Sequence, residues 1–237
     1  MKIKDSTIIV TGASGGIGLA LARLLSERGA KVVLAARSEK TLKKLEKEIP
    51  NSFAVVTDMR KPADIKALVK KTLKKFGRVD ILINNAGQGM HSPVETIDLK
   101  DYKDVMELNV FAVVRAMQAV IPVMRSQGGL PDRQAGGLIL NISSMVSKNF
   151  FPGLAAYAST KYALNAITFT ARTELEPDHI AVSAFHPKMT STGFGQNALG
   201  EKYVSSAGRP GMTVDTPEAV ALAIADQIES DTPEANM

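Results

Sequence analysis

The sequence predicts an α/β fold: a doubly wound parallel sheet with helices on both faces, built as a single domain over residues 1–237. Three observations predict it. Short runs of residues are almost continuously apolar, the stretches between them carry helical periodicity, and a glycine-rich turn joins the first run to the first helical stretch.

The apolar runs are Thr7–Val10, Val32–Ala36, Phe53–Val56, Val79–Ile83, Leu138–Ile142 and Ile180–Phe185. Strands that face solvent on one side alternate apolar and polar residues; continuous runs mark strands covered on both faces, the signature of parallel sheets. Helical spacing predicts helices over about 16–29, 38–49, 62–76, 101–126 and 156–176, and another beginning near Thr216-Pro217-Glu218. The strict β-α-β-α order calls for right-handed crossovers in one sheet. Two segments break the rhythm. Residues 127–137, bracketed by glycine pairs, read as an exposed connection. Residues 188–213 are rich in Gly, Ser, Thr and Met and follow the sixth strand, where ligands of such sheets bind, so they are expected to form a substrate lid.

Composition removes several classes of function. There are no cysteines, which excludes disulfides, thiolate catalysis and thiolate metal sites and suits a reducing cytoplasm. The chain runs from Met1-Lys2-Ile3-Lys4-Asp5 straight into a strand, leaving no room for a signal peptide, and no uninterrupted apolar run approaches a membrane span. No membrane role is expected. The net charge of +5 comes largely from Lys40, Lys43, Lys44 and Lys47 and from Lys66, Lys70, Lys71, Lys74 and Lys75. Leu42, Leu45, Ile65, Leu68, Val69 and Leu73 interleave with them at helical spacing, as on amphipathic helices with solvated outer faces. Without arginine clusters or interleaved aromatics, the charge does not predict nucleic-acid binding. His91 and His186 have no partner residues at metal-ligand spacing, so no metal site is expected.

The turn after the first strand reads Thr11-Gly12-Ala13-Ser14-Gly15-Gly16-Ile17-Gly18. Glycines lack the Cβ that would keep a pyrophosphate away from the backbone, and the N–H groups and dipole of a helix start attract its charge. A Rossmann-like dinucleotide site is therefore expected, with the glycines spaced G-x-x-x-G-x-G at Gly12, Gly16 and Gly18. NAD sites place a carboxylate at the end of the second strand to hold the ribose 2′-hydroxyl. Here that strand ends Ala35-Ala36-Arg37-Ser38, with Glu39 just beyond. A guanidinium at Arg37 suits a 2′-phosphate, so NADP(H) is expected over NAD(H).

Tyr157 and Lys161 stand four residues apart on a predicted helix and so share a face. A tyrosine titrates near 10, and a fixed ammonium beside it is expected to favour the phenolate and tune it towards acid–base work. Asn141-Ile142-Ser143-Ser144 closes the fifth strand and adds hydroxyls at the same end of the sheet.

Together these residues resemble the short-chain dehydrogenase/reductase family over about residues 5–192. Thr11-Gly12 through Gly18, with Ser14 and Ile17 inside it, looks like the family's T-G-x-x-x-G-x-G turn. Asn84-Asn85-Ala86-Gly87 matches its N-N-A-G motif, used to stabilise the sheet and the adenosine pocket. Asp58-Met59 stands where the family contacts the adenine, and Asn109 matches its helical asparagine. Ser144 precedes Tyr157 by the family's usual spacing for its catalytic serine, with Ser143 as the neighbour. The resemblance implies hydride transfer between a nicotinamide and a carbonyl or alcohol. Tyr157 would exchange the proton, Ser144 would hold the carbonyl oxygen, Lys161 would hold the nicotinamide ribose, and Asn109 would position a water behind Lys161. The family usually forms homodimers or homotetramers through its two long helices, and NADP sites more often serve reduction. Two departures stand out. Where the family has P-G and a threonine, this chain reads Pro187-Lys188-Met189-Thr190-Ser191-Thr192, keeping Pro187 and a Thr192 that would reach the nicotinamide carboxamide. It also lacks the C-terminal glycine-rich stretch of many relatives, so a closing strand is expected to be very short or missing. Rival readings are an NAD-linked hydroxysteroid or polyol dehydrogenase and a non-catalytic nucleotide sensor.

Overall fold

The computed structural model describes residues 1–127, 136–201 and 214–237. The main sheet has seven strands, all parallel, in the order β3-β2-β1-β4-β6-β7-β9. They are β1 (Thr7–Thr11), β2 (Lys31–Ala36), β3 (Ser52–Val56), β4 (Ile81–Asn84), β6 (Gly137–Ile142), β7 (Ile180–His186) and β9 (Glu234–Asn236). The order reverses between β1 and β4, and that switch point opens a crevice at the carboxyl ends of the strands.

The continuous apolar runs have the cause their pattern implied. Along β1, Ile8 and Val10 point to one face and Ile9 to the other, and all three are fully buried. The first face packs Leu21 and Leu25 of α1 (Gly16–Glu27), Leu42 of α2 (Glu39–Glu48), and Val220, Ile224 and Ile228 of α7 (Pro217–Ser230). The second packs Leu68 of α3 (Pro62–Phe76), Val113 and Val120 of α5 (Ala112–Gln127), and Leu164 and Leu175 of α6 (Ala155–Leu175). Each such side chain contributes about 1.5–3 kcal/mol on burial, so the two layers hold the sheet rigid beneath the crevice.

Local signals explain most helix ends. Ser38 accepts from Thr41 N at 3.3 Å to cap α2, and Thr216 caps α7 with Pro217 in its first turn. Asp98 caps α4 (Leu99–Met106), accepting from Lys100 N and Asp101 N. Two helices lack such signals: α1, with Gly15 at its N-cap, and α6, with Leu154, have neither a side-chain cap nor an acidic residue in the first turn.

The structure refines the sequence expectation at several points. The helix predicted over 101–126 is α4 and α5 joined by a π-helical turn at Glu107–Phe111, because periodicity does not register one extra residue in a turn. This continuous helix, Leu99–Gln127, is long enough to cross a membrane and holds an 18-residue stretch with a mean hydropathy of 1.4. Its inward face, including Ala112, Ala116, Met117 and Met124, is buried in the second core layer. A small second sheet pairs β5 (Met90–His91) with β8 (Leu199–Gly200), two-residue strands too short to leave a pattern. The closing strand is very short but present: β9 pairs with β7 through Phe185 and Ala235. Most of the predicted 127–137 connection, at 128–135, lies outside the described residues, as does 202–213 of the expected lid.

Candidate active site

The glycine turn is held by β4's extension across the switch point. Thr11 Oγ1 donates to Ile83 O at 3.1 Å and accepts from Asn85 N at 2.9 Å and Ala86 N at 3.0 Å. Asn85 returns the contact, its Nδ2 donating to Thr11 O at 2.9 Å. Side chains are excluded from the turn by this closeness. A Cβ on Gly18 would fall 2.4 Å from both Gly12 O and Asn85 Nδ2. Gly12 has φ +69°, and its Cβ would meet Asn85 Nδ2 at 2.9 Å. Thr192 lies over the same turn, where its methyl group would be 3.1 Å from a Cβ on Gly16. The uncapped N–H groups of α1, the packed glycines and the open space above Gly15 fit the pyrophosphate of a dinucleotide. Ser14 and Ile17 lie half-buried in this turn, Ile17 packing against the first core layer.

The rim residues divide by what they touch. Arg37 is exposed directly after β2, and Glu39 is drawn away by Lys43, 2.7 Å distant on α2. Asp58, just past β3, accepts from Arg60 N at 3.1 Å. Met59 buries its side chain in the second core layer, which leaves its backbone for any ligand contact. Asn84 is turned into the sheet and donates to Asn141 Oδ1 at 2.8 Å, so it braces β4 against β6. Pro187 O accepts from Met145 N at 3.1 Å, joining the loops after β6 and β7.

Beside the crevice, β6 and the start of α6 bring three side chains together. Ser144, extended and half-buried, sets its hydroxyl beside that of Tyr157, near enough to help hold the phenol down. Ser143 points elsewhere, donating to Asn165 Oδ1 at 2.7 Å. Of the two serines, Ser144 is the one at the tyrosine. Lys161 is 6% exposed; its Nζ donates to Ile142 O at 2.8 Å and lies 5.8 Å from the Tyr157 ring centre. Gly87 runs alongside, where a Cβ would be 3.9 Å from Lys161 Nζ. Asn109, in the π-helical turn, is fully engaged: its Oδ1 accepts from Gln88 N at 2.8 Å, and its Nδ2 donates to Gln88 O and Thr160 Oγ1.

The electrostatics correct one expectation. Lys161 was expected to depress Tyr157; instead burial pushes the phenol up to about 12, with the Ser144 hydroxyl pulling the other way. Lys161 itself is pushed down to about 8 by burial. Its nitrogen bonds a carbonyl and sits over the ring, and the Tyr157 shift comes from burial and Ser144.

Sequence reasoning missed Phe194. Its ring centre lies 5.6 Å from that of Tyr157, and its edge would be 3.0 Å from a Cβ on Gly89. An aromatic in a motif-free segment gives no sequence signal. The β5–β8 pairing and the Leu199 N–Gly89 O hydrogen bond of 2.9 Å carry this segment to the tyrosine.

With sheet order, glycine turn and hydroxyl–lysine cluster in place, the chain belongs to the short-chain dehydrogenase/reductase family of oxidoreductases: residues 6–202 match the family described as short chain dehydrogenase. It is similar to an uncharacterized oxidoreductase of Staphylococcus saprophyticus, 33% identical over 94% of this chain and 89% of that protein. Among solved structures it resembles the 3-ketoacyl-(acyl-carrier-protein) reductase of Brucella melitensis complexed with NADH, with a TM-score of 0.88, 29% identity and coverage of 99% and 97% of the two chains. It also resembles the alcohol dehydrogenase of the archaeon Thermococcus sibiricus complexed with 5-hydroxy-NADP, with a TM-score of 0.83, 27% identity and coverage of 99% and 95%.

Proposed function

We propose that the protein is an NADP(H)-dependent oxidoreductase that interconverts a small-molecule carbonyl and alcohol, working in the reductive direction. The observation that carries this reading is the Ser144–Tyr157 hydroxyl pair beside buried Lys161, at the mouth of a crevice whose other wall is the glycine turn. The cofactor supplies the hydride when bound. Ser144 holds the carbonyl oxygen and stabilises the charge that develops on it. Tyr157 donates its proton to that oxygen, and Lys161 would hold the ribose hydroxyls of the bound cofactor and supply positive charge beside the phenol. Asn109 acts by fixing the Gln88 backbone behind Lys161.

In this reading Gly12, Ser14, Gly16, Ile17 and Gly18 hold the pyrophosphate, while Asp58, Met59 and Asn84 to Gly87 form the adenosine side, with Pro187 and Thr192 at the nicotinamide. Arg37 selects the 2′-phosphate, supported by its exposure after β2 and by the engagement of Glu39 with Lys43. The chain works as one domain with 188–213 as its lid, in the cytoplasm, as a homodimer or homotetramer. The exposed Phe111, Phe150 and Tyr162 near its long helices support self-association. Light scattering tests that assembly.

Replacing Tyr157 by Phe tests the chemistry. A panel of aldehydes, ketones, quinones and β-keto thioesters is screened for NADPH consumption. The variant is expected to bind NADPH as the unmodified protein does and to lose turnover by about 100-fold or more. Equal turnover in Tyr157→Phe would overturn the mechanism; cofactor binding with no turnover of any compound would favour a nucleotide sensor. An NAD-linked dehydrogenase is the second reading, favoured by the NADH bound to the Brucella reductase. Faster reduction with NADH than with NADPH would establish it.

A further inference from the structure

Behind Ser144 lies a polar chain, buried at His186 and Ser147, that the proposed mechanism does not use. His186, the last residue of β7, is 0% exposed. Its Nε2 lies 2.8 Å from Glu234 Oε1 on β9. Its Nδ1 lies 3.2 Å from Ser147 Oγ and 3.4 Å from Ser144 O. Ser147 in turn lies 2.6 Å from Ser144 O through its hydroxyl, which also accepts from Asn165 Nδ2 at 2.9 Å. We propose that Glu234 and His186 are positioning residues, a brace from the last strand that fixes the backbone of Ser144 and so aims its hydroxyl at the substrate oxygen. The proposal rests on the role given to Ser144 above.

The donor count favours this over simple packing. A carboxylate only accepts, so a protonated Nε2 is the form that Glu234 favours, although at 2.8 Å the contact is a charge pairing and not an aligned hydrogen bond. Nδ1 then has two modes. In the neutral ring it accepts from the Ser147 hydroxyl. In the charged ring it donates to that oxygen, and the hydroxyl turns to Ser144 O. Both modes tie Ser144's loop to β9. The charged groups facing the ring are Glu234 from β9 and Lys148 from the loop after β6, whose Nζ lies 2.5 Å from Glu234 Oε1; α6 presents the neutral Asn165. Burial pulls the imidazole below its ordinary value, and the Glu234 carboxylate opposes that shift. Strand pairing does not need the carboxylate, because β9 is held to β7 by its backbone register, including His186 with Asn236. Glu234→Gln therefore removes the charge and keeps the strand.

The test is a double-mutant cycle on Glu234→Gln and Ser144→Ala. It reads kcat and KM for the panel compound reduced fastest, and NADPH affinity by fluorescence. Glu234→Gln is expected to lower kcat about 3–10-fold with unchanged NADPH affinity, and Ser144→Ala about 100-fold. The double variant is expected to be no slower than Ser144→Ala alone. Histidine NMR on the cofactor-free protein gives a second readout: the His186 ring should titrate at lower pH in Glu234→Gln than in the unmodified protein. Unchanged kcat in Glu234→Gln, or losses that multiply in full in the double variant, would overturn the brace. Should Glu234→Gln not fold, the same cycle run with Ser147→Ala decides by the same criteria. Unmodified turnover in Ser144→Ala would overturn the reading of the site itself. Loss in Ser144→Ala with none in Glu234→Gln overturns the brace alone.

Discussion

The Lys161 ammonium nitrogen is bound to the Ile142 carbonyl oxygen, 2.8 Å away at the carboxyl end of β6, rather than to the Tyr157 hydroxyl. In the cofactor-free protein the lysine is thus anchored to the sheet, and the tyrosine is governed by its own burial. The phenolate contribution of Tyr157, taken as the absorbance difference between the unmodified protein and Tyr157→Phe, should be absent at pH 10 and emerge only towards pH 12. Saturating NADPH should move it to lower pH as Lys161 is drawn to the ribose. A Tyr157 phenolate already present at pH 9 without cofactor would contradict this.

Lys161 also makes a prediction about stability. Its folded-state value is lowered from 10.5 to about 8, so the native state binds fewer protons than the unfolded chain between those values. Stability from this group therefore rises as pH rises from about 8 to about 10.5, and below 8 its burial costs on the order of 3 kcal/mol. Lys161→Met should be more stable than the unmodified protein at pH 7 by about 1–3 kcal/mol, partly offset by the lost bond to Ile142 O. That gain should shrink across the same window. Denaturant melts at pH 7 and pH 10 check it, and equal stability at pH 7 would show that the lysine is not strained by burial.

Gly18 and Gly15 should respond in opposite ways to one added methyl group. In Gly18→Ala the Cβ meets Gly12 O and Asn85 Nδ2 at 2.4 Å, so the turn must open, at a cost of roughly 2 kcal/mol or more. In Gly15→Ala the Cβ meets nothing within 4 Å, and the backbone there is extended, which any residue adopts. Its Tm should stay within about 2 °C of the unmodified protein. Thermal unfolding of both variants decides this.

Arg37→Ala should raise the KM for NADPH about 10-fold or more and leave that for NADH nearly unchanged, since only the 2′-phosphate has lost its partner. Raising the salt concentration should weaken NADPH binding to the unmodified protein more than to the variant. Parallel changes for both cofactors would mean that Arg37 acts on something they share.

What the sequence made legible follows physical rules. Ile8, Ile9 and Val10 announced a strand covered on both faces because nothing else tolerates three apolar residues so arranged in a parallel sheet. Ser144, Tyr157 and Lys161 were legible because their spacing along the chain is also their spacing in space, across one loop and one helical turn. The rest depends on distant segments meeting. Phe194 reaches Tyr157 through a two-residue strand pair, and Glu234 reaches His186 through β9, neither of which leaves a periodic trace. The π-helical turn around Asn109 adds a single residue to a helix whose composition does not change. The direction of the Tyr157 shift was misread because a shared helix face does not say which atom the lysine's nitrogen will touch.

The Thr11 hydroxyl, with one bond given and two received, is already saturated before any ligand arrives. The seam between the two halves of the sheet is therefore set in advance, and docking a dinucleotide there does not require the loop to be ordered first. Binding to this half of the crevice should carry little conformational entropy penalty and should be limited by encounter rather than by rearrangement.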